Sequence, residues 1–253
     1  MIEAAANDDR IRAVWLGGSV ARGVADAGSD LDVLVAVADE HVDAFAAGWR
    51  EWLESFTDIL LARELPGLPG SFYATTTDCL RLDVVTEAVS VVAATPHRSR
   101  MPILDKDGLN ERVPSPEEAP GPDAEAVRGL VEEFYRQQAI FPAAVVARAD
   151  WLLGVVGVGH SQQLLYRVLT ACNAPLPPMG VKQWSAKLAP EQREVFVRLP
   201  SPQPTRASVI DAMRATRQAF REDGRAAVAR LGIEWPDDVD EAVADYWRRE
   251  GLE

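Results

Sequence analysis

The stretch 15–37, WLGGSVARGVADAGSDLDVLVAV, constrains what this chain can fold into more than any other. An apolar entry, Val14-Trp15-Leu16, meets Gly17-Gly18-Ser19. A short segment with Arg22 follows, then a Gly/Asp/Ser turn. Asp30-Leu31-Asp32 then heads the apolar run Val33-Leu34-Val35-Ala36-Val37. The pattern predicts strand, glycine turn, short helix over 19–24, loop and strand over 30–37. The continuous apolar run predicts a central strand covered on both faces. A Gly-Ser pair opening a helix presents free backbone N–H groups at the positive end of the helix dipole, which suits a phosphate. Arg22 falls three residues after Ser19, on the same helical face. Asp30 and Asp32, two apart on a strand, leave by one face. Carboxylates held that way repel each other, and a divalent cation such as Mg²⁺ is the usual reason to hold them so. Taken singly, Gly-Gly-Ser reads as a turn and Asp-x-Asp as a solvated loop or cap. Together they favour a site.

The rest of the first half predicts a helix over 2–12, a strand over 13–16 and a helix over 39–56 with Val42, Phe45, Ala46, Trp49 and Leu53 at helical spacing. Strands are predicted at 57–63, 71–77, 80–86 and 102–105, while 86–95 reads as strand or helix. Asp83 lies inside the apolar run Leu80-Arg81-Leu82-Asp83-Val84-Val85, where an unpaired carboxylate is costly to bury. Beside the 30–37 strand, about 4.8 Å away, it completes a three-carboxylate cluster. On an edge strand it faces water. Glu87 is a lesser candidate. The segment 110–123, NERVPSPEEAPGPD, reads as a linker. Beyond it the periodicity is helical: Val127, Leu130, Val131, Phe134 and Tyr135 form one stripe, and Leu164, Leu165, Val168, Leu169 and Cys172 another. Pro142 separates the first of these from a helix over 143–158, and further helices follow at 190–199, through Val209 to Phe220, and through Val239 to Trp247. The expected class is α+β, with a mixed-sheet domain over 1–112 and an all-helical bundle over 123–253.

Composition excludes several classes. The chain of 253 residues is 47% hydrophobic and 26% charged, which is globular, and no apolar run reaches membrane-spanning length. No apolar signal core opens the chain, so a cytoplasmic protein is expected. Cys79 and Cys172 build neither a disulfide framework nor a zinc site and read as buried small residues. His41, His97 and His160 lack metal-ligand spacing; His41 reads as exposed near a helix start and His160 as a helix-entry residue. The net charge of −13, from 39 acidic and 26 basic residues, argues against nucleic acid and favours cationic ligands. Trp184, after the Pro/Gly-rich loop 174–181, reads either as packing or as a stacking surface for a base or sugar-like acceptor. Lys182 and Lys187 flank it; either reads as solvated or as reaching a phosphate.

The run Gly-Gly-Ser, spacer, Asp-x-Asp resembles the signature of the polymerase-β-type nucleotidyltransferase superfamily. Its fuller form, Gly17-Gly18-Ser19-Val20-Ala21-Arg22-Gly23 with Ser29-Asp30-Leu31-Asp32, is similar to the branch of antibiotic nucleotidyltransferases. A weaker resemblance runs through Asp83 and Leu104-Asp105-Lys106-Asp107-Gly108, and a loose one through 180–199. The resemblance implies transfer of a nucleoside monophosphate from an NTP to a hydroxyl, with release of pyrophosphate. It implies two Mg²⁺ ions on Asp30 and Asp32, roughly 3.5–4 Å apart in such sites. Asp83 joins the second ion and is the candidate general base. Gly18, Ser19 and Arg22 hold the phosphates, with Lys182 as a further nucleotide contact and the helical domain closing one side of a cleft. The expected acceptor is a small hydroxylated antibiotic, an aminoglycoside ahead of a lincosamide, with Glu132 and Glu133 as candidate contacts. The alternatives are a toxin that modifies tRNA or protein and a catalytically inactive nucleotide-binding module. The sequence leaves the oligomeric state open.

Overall fold

The computed structural model describes residues 1–94, 99–116, 118–177 and 182–253. Its elements run α1 (Ile2–Ala6), β1 (Ile11–Leu16), α2 (Gly18–Ala21), β2 (Leu31–Val37), α3 (Val42–Glu54), β3 (Ile59–Glu64), β4 (Ser71–Thr76), β5 (Arg81–Ala88) and β6 (Met101–Asp105), then α4 (Ala124–Phe141), α5 (Trp151–Cys172), α6 (Pro190–Arg198), α7 (Arg206–Ala219), α8 (Arg225–Ala229) and α9 (Asp237–Arg249). The chain divides into two units, Met1–Glu118 with Pro178–Lys182, and Ala119–Pro177 with Gln183–Glu253. Mixed sheet followed by helices is the α+β class read from the sequence. Among the described residues, no helix is long and apolar enough to cross a membrane.

The first unit is built on a six-stranded sheet ordered β3-β4-β5-β2-β1-β6. The β2–β5 pair is parallel and the rest are antiparallel. The apolar run of β2 is covered on both faces, as its composition predicts. Val33, Val35 and Val37 enter a core with Phe45, Trp49 and Leu53 of α3 and with Phe72 and Val84 of neighbouring strands, while Leu34 and Ala36 enter another with Trp15, Val92 and Leu109. By the same alternation Asp32 shares the face of Leu34 and Ala36. Trp15 is fully buried, and its indole N–H donates to Asn110 Oδ1 at 3.0 Å.

Several boundaries differ from expectation for local reasons. The first helix stops at Ala6 because Asp8 accepts from both the backbone and the guanidinium of Arg10 and turns the chain into β1. The Asp8 carboxyl is thereby held below its ordinary value. The ambiguous stretch after Thr86 ends the strand at Ala88 and becomes a 3-10 turn over Val89–Ala94. Asp105, Lys106 and Asp107 are structural. Asp105 caps the following turn by accepting from Leu109 and Asn110, Lys106 donates to the Asp8 carbonyl, and Asp107 pairs with Arg12. Cys79 is exposed at a tight turn with φ 66°, and only Cys172 is buried as expected.

The second unit packs its helices around one core. Phe134 stacks on Phe220 with ring centres 3.5 Å apart, and Trp247 stacks on Phe141 at 5.3 Å. The expected break between helices at 143–158 and 164–172 lies elsewhere. After a wide turn over Pro142–Val146 the chain restarts at Asp150, whose carboxylate caps α5 by accepting from Leu153 N, and α5 then runs unbroken to Cys172. His160 therefore sits in mid-helix rather than at a helix entry.

Candidate active site

Parallel pairing of β2 with β5 sets Leu31 beside Leu82 and Asp32 beside Asp83. Partners in a parallel ladder share a face and lie about 4.8 Å apart between strands, so these two carboxylates are neighbours. Asp30, two residues before Asp32, joins them at the strand entrance. The site is desolvated and self-repelling. Burial raises the Asp32 carboxyl above its ordinary value, and the charges of Asp30 and Asp83 add to the rise against the pull of Arg22 and Lys182. Burial also raises Asp83, with Asp30 adding to it and Lys182 and Arg81 opposing. Asp30 moves the other way, because Lys182 Nζ donates a hydrogen bond to its Oδ2.

Gly17 and Gly18 lie directly on this cluster. Gly17 N–H donates to the Asp32 carbonyl at 2.8 Å. Gly18 has φ +54°, and a Cβ there would fall 1.6 Å from Asp32 Oδ2. No other residue type fits that position without moving the carboxylate. Ser19, 5% exposed, opens the second position of α2 with its Oγ buried and without a hydrogen-bond partner. An orphaned hydroxyl is costly in a finished interior and reads as a donor awaiting a ligand. The helix is shorter than its sequence suggested, because Arg22 caps it and Gly23, at φ +70°, ends it.

The structure brings Gly18, Ser19, Asp30, Asp32, Asp83 and Lys182 together, with the charge of Arg22 felt at Asp32. Glu87 is apart from them. It lies two pleats along β5 from Asp83, about 13 Å on, in an ion pair with Arg100 whose side chains are 8% and 2% exposed. That guanidinium also sits 5.0 Å from the Trp15 ring centre. Among the described residues, no group of three acidic, histidine or cysteine side chains converges as a ready-made metal cage, and the Asp30 carboxylate is turned to Lys182. The carboxylate chemistry and the Ser19 orphan nonetheless fit a cation and a phosphate group. Sequence reasoning missed Arg81, whose charge reaches Asp30 and Asp83 and whose guanidinium donates to the Gly28 carbonyl. Its signal was the spacing: Arg81 precedes Asp83 by two in a strand and so shares its face.

In the helical unit, Glu133 accepts from Arg136 and Gln137, which draw its carboxyl down to about 2. Glu132 is exposed and lines a cavity of about 320 Å³ with Glu234, Asp238 and Trp235. His41 is exposed at the start of α3 as expected, and His160 is 3.9 Å from Glu133. His97 lies outside the described residues.

Residues 2–64 match the family model of a nucleotidyltransferase domain, a span that holds the glycine turn and both Asp30 and Asp32. No curated protein matches the chain. Among solved structures the chain is similar to an aminoglycoside 6-adenyltransferase from Bacillus subtilis, at 18% identity and a TM-score of 0.48, covering 98% of this chain and 95% of that one. The superfamily read from the glycine turn and the Asp-x-Asp strand is borne out by this match, which covers residues 2–64 within the first unit.

Proposed function

We propose that the protein transfers a nucleoside monophosphate from an NTP to a hydroxyl of a small molecule, an aminoglycoside- or lincosamide-like antibiotic, and releases pyrophosphate. The observation that carries the reading is the packing of Gly18 against Asp32 beside the orphaned Ser19 hydroxyl. It sets the turn that carries Ser19 directly against the Asp32 carboxylate, with no side chain between them. Asp30, Asp32 and Asp83 are the residues to hold two Mg²⁺ ions. When bound, the ions supply charge neutralisation for the triphosphate and acidify the acceptor hydroxyl.

The chain's own groups divide the remaining work. Ser19 Oγ and the backbone N–H groups at the start of α2 bind β- and γ-phosphate oxygens, and Arg22 adds positive charge where pyrophosphate leaves. Lys182 serves the same phosphates once released from Asp30. Asp83 takes the proton of the acceptor hydroxyl as its oxygen attacks the α-phosphorus and the bond to pyrophosphate breaks. In the metal-free protein burial raises the Asp83 carboxyl above its ordinary value. The acceptor class rests on the resemblance of the glycine motif and on a net charge of −13, which disfavours a polyanionic acceptor.

Pyrophosphate release, followed with each NTP against a panel of antibiotics with and without Mg²⁺, tests the reading. Release that needs both Mg²⁺ and an acceptor supports it. A protein that binds NTP but releases nothing overturns it in favour of an inactive module, and labelling of tRNA or protein overturns the acceptor class. Ser19→Ala and Arg22→Ala are each expected to weaken NTP binding by about tenfold, the scale of one hydrogen bond to a charged group. Calorimetric titration should find acceptor affinity unchanged, and equal loss for both ligands would count against the cradle.

A further inference from the structure

The helical unit holds a cavity of about 450 Å³ lined by Gly159, Gln162, Gln163, Tyr166, Trp184, Ser185, Leu188 and Phe196. Its size falls within the range of small-molecule sites. Trp184 forms one wall. Its indole lies nearly parallel to Tyr166, with ring centres 4.2 Å apart and planes at 11°. Tyr166 Oη donates to the Trp184 carbonyl at 3.1 Å, and Phe196 meets Tyr166 edge-on. One indole face is thus packed and held in place, yet the residue remains 52% exposed. The exposed part of the indole borders the cavity.

Gly159 also lines the cavity. It stands within α5, where glycine costs about 1 kcal/mol against alanine. A Cβ built on it meets no atom within 4 Å, so no close approach in the fold requires it. It is exposed, so its missing side chain leaves that edge of the cavity open to solvent. The polar groups of the lining are the amides of Gln162 and Gln163 and the Ser185 hydroxyl, and among the described residues the lining holds no charged side chain. Amides and hydroxyls both donate and accept, as do the hydroxyls of a sugar. Among the described lining residues a triphosphate finds no cation and a polyamine finds no carboxylate.

We infer that this cavity binds the acceptor through an uncharged, hydroxylated six-membered ring laid on the free face of Trp184. The inference rests on the transferase reading and narrows it, since an acceptor seated here is recognised by its sugar rather than by its amines.

The test is saturation-transfer NMR on the full chain, with lincomycin and methyl α-glucopyranoside as probes and a nonhydrolysable ATP analogue as control. Saturation of the sugar-ring protons is expected. Gly159→Leu, which puts a side chain into the open edge of the cavity with a better helix former, and Trp184→Ala should each weaken probe binding by about tenfold, with the analogue bound as before. Absent ring saturation, or equal saturation in Gly159→Leu, overturns the inference. Loss of the analogue in Gly159→Leu also overturns it, because the cavity then holds the nucleobase. The readout needs no turnover: ring binding without pyrophosphate release sinks the transferase reading alone, while release with an unaltered Gly159→Leu sinks only this site.

Discussion

Asp32→Asn is expected to lower nucleotidyl transfer by about 10³-fold or more, the scale of removing one preorganised charge from a reacting centre, while making the metal-free fold more stable. The two effects share a cause. Asp32 is desolvated and faces Asp30 and Asp83, so folding raises its pKa above the unfolded value. The sign follows by linkage. Between the unfolded and the raised folded pKa, the folded state binds more protons than the unfolded one, so stability falls as pH rises through that window and stays lowered above it. At neutral pH the ionised side chain therefore costs stability that neutral asparagine, of nearly the same shape, does not. Thermal unfolding without metal should place Asp32→Asn above the wild type at pH 7, and the gap should close as pH falls below the ordinary carboxylate range. Added Mg²⁺ should stabilise the wild type more than the variant. A variant with near-normal turnover, or one less stable at pH 7, would be incompatible with a cluster held for a cation.

Much of this arrangement is legible in the sequence because it is local. The glycine turn, the two-residue spacing of Asp30 and Asp32 and the apolar run of β2 are each short-range signals, and together they place the strand, its faces and the cradle. The partner of Asp32 is not local. Nothing within 80–88 states that β5 pairs with β2 in parallel rather than at an edge, so the register of Asp32 with Asp83 emerges only from the folded sheet. The same holds for Glu87 and Arg100. Glu87 looked like a second choice of base until β5 set it beside a buried guanidinium from a distant segment. The run from Pro142 to Asp150 misled in another way. It holds no glycine, and its one signal, an aspartate capping a following apolar stretch, was weaker than the proline before it. Lys182 was expected to reach the triphosphate from the helical half. It clusters instead with the sheet unit, on a carboxylate. Both observations suit a cation that screens the site before substrate arrives.

Gly18→Ala is expected to be the most damaging single-methyl change in the chain. Two costs add. The residue has φ +54°, a left-handed conformation in which an L side chain costs about 1–2 kcal/mol. The new Cβ would also lie 1.6 Å from Asp32 Oδ2 and 2.5 Å from its Cγ, so either the turn or the carboxylate must move. Moving the carboxylate breaks the alignment with Asp83; moving the turn takes the Ser19 hydroxyl and the N–H groups of α2 away from the proposed phosphate position. Either route should abolish transfer and lower the melting temperature. Coupling separates the two costs. In Gly18→Ala with Asp32→Ala the oxygen and Cγ are gone and only the Cβ at 3.3 Å remains, so the close approach is relieved while the backbone strain persists. The double variant should therefore unfold at a higher temperature than Gly18→Ala alone, with a favourable interaction energy in the mutant cycle, and should stay inactive. If the two substitutions were simply additive in stability, the packing of glycine on the carboxylate would not be what fixes the turn. If Gly18→Ala kept both its stability and its turnover, the cradle would lie elsewhere.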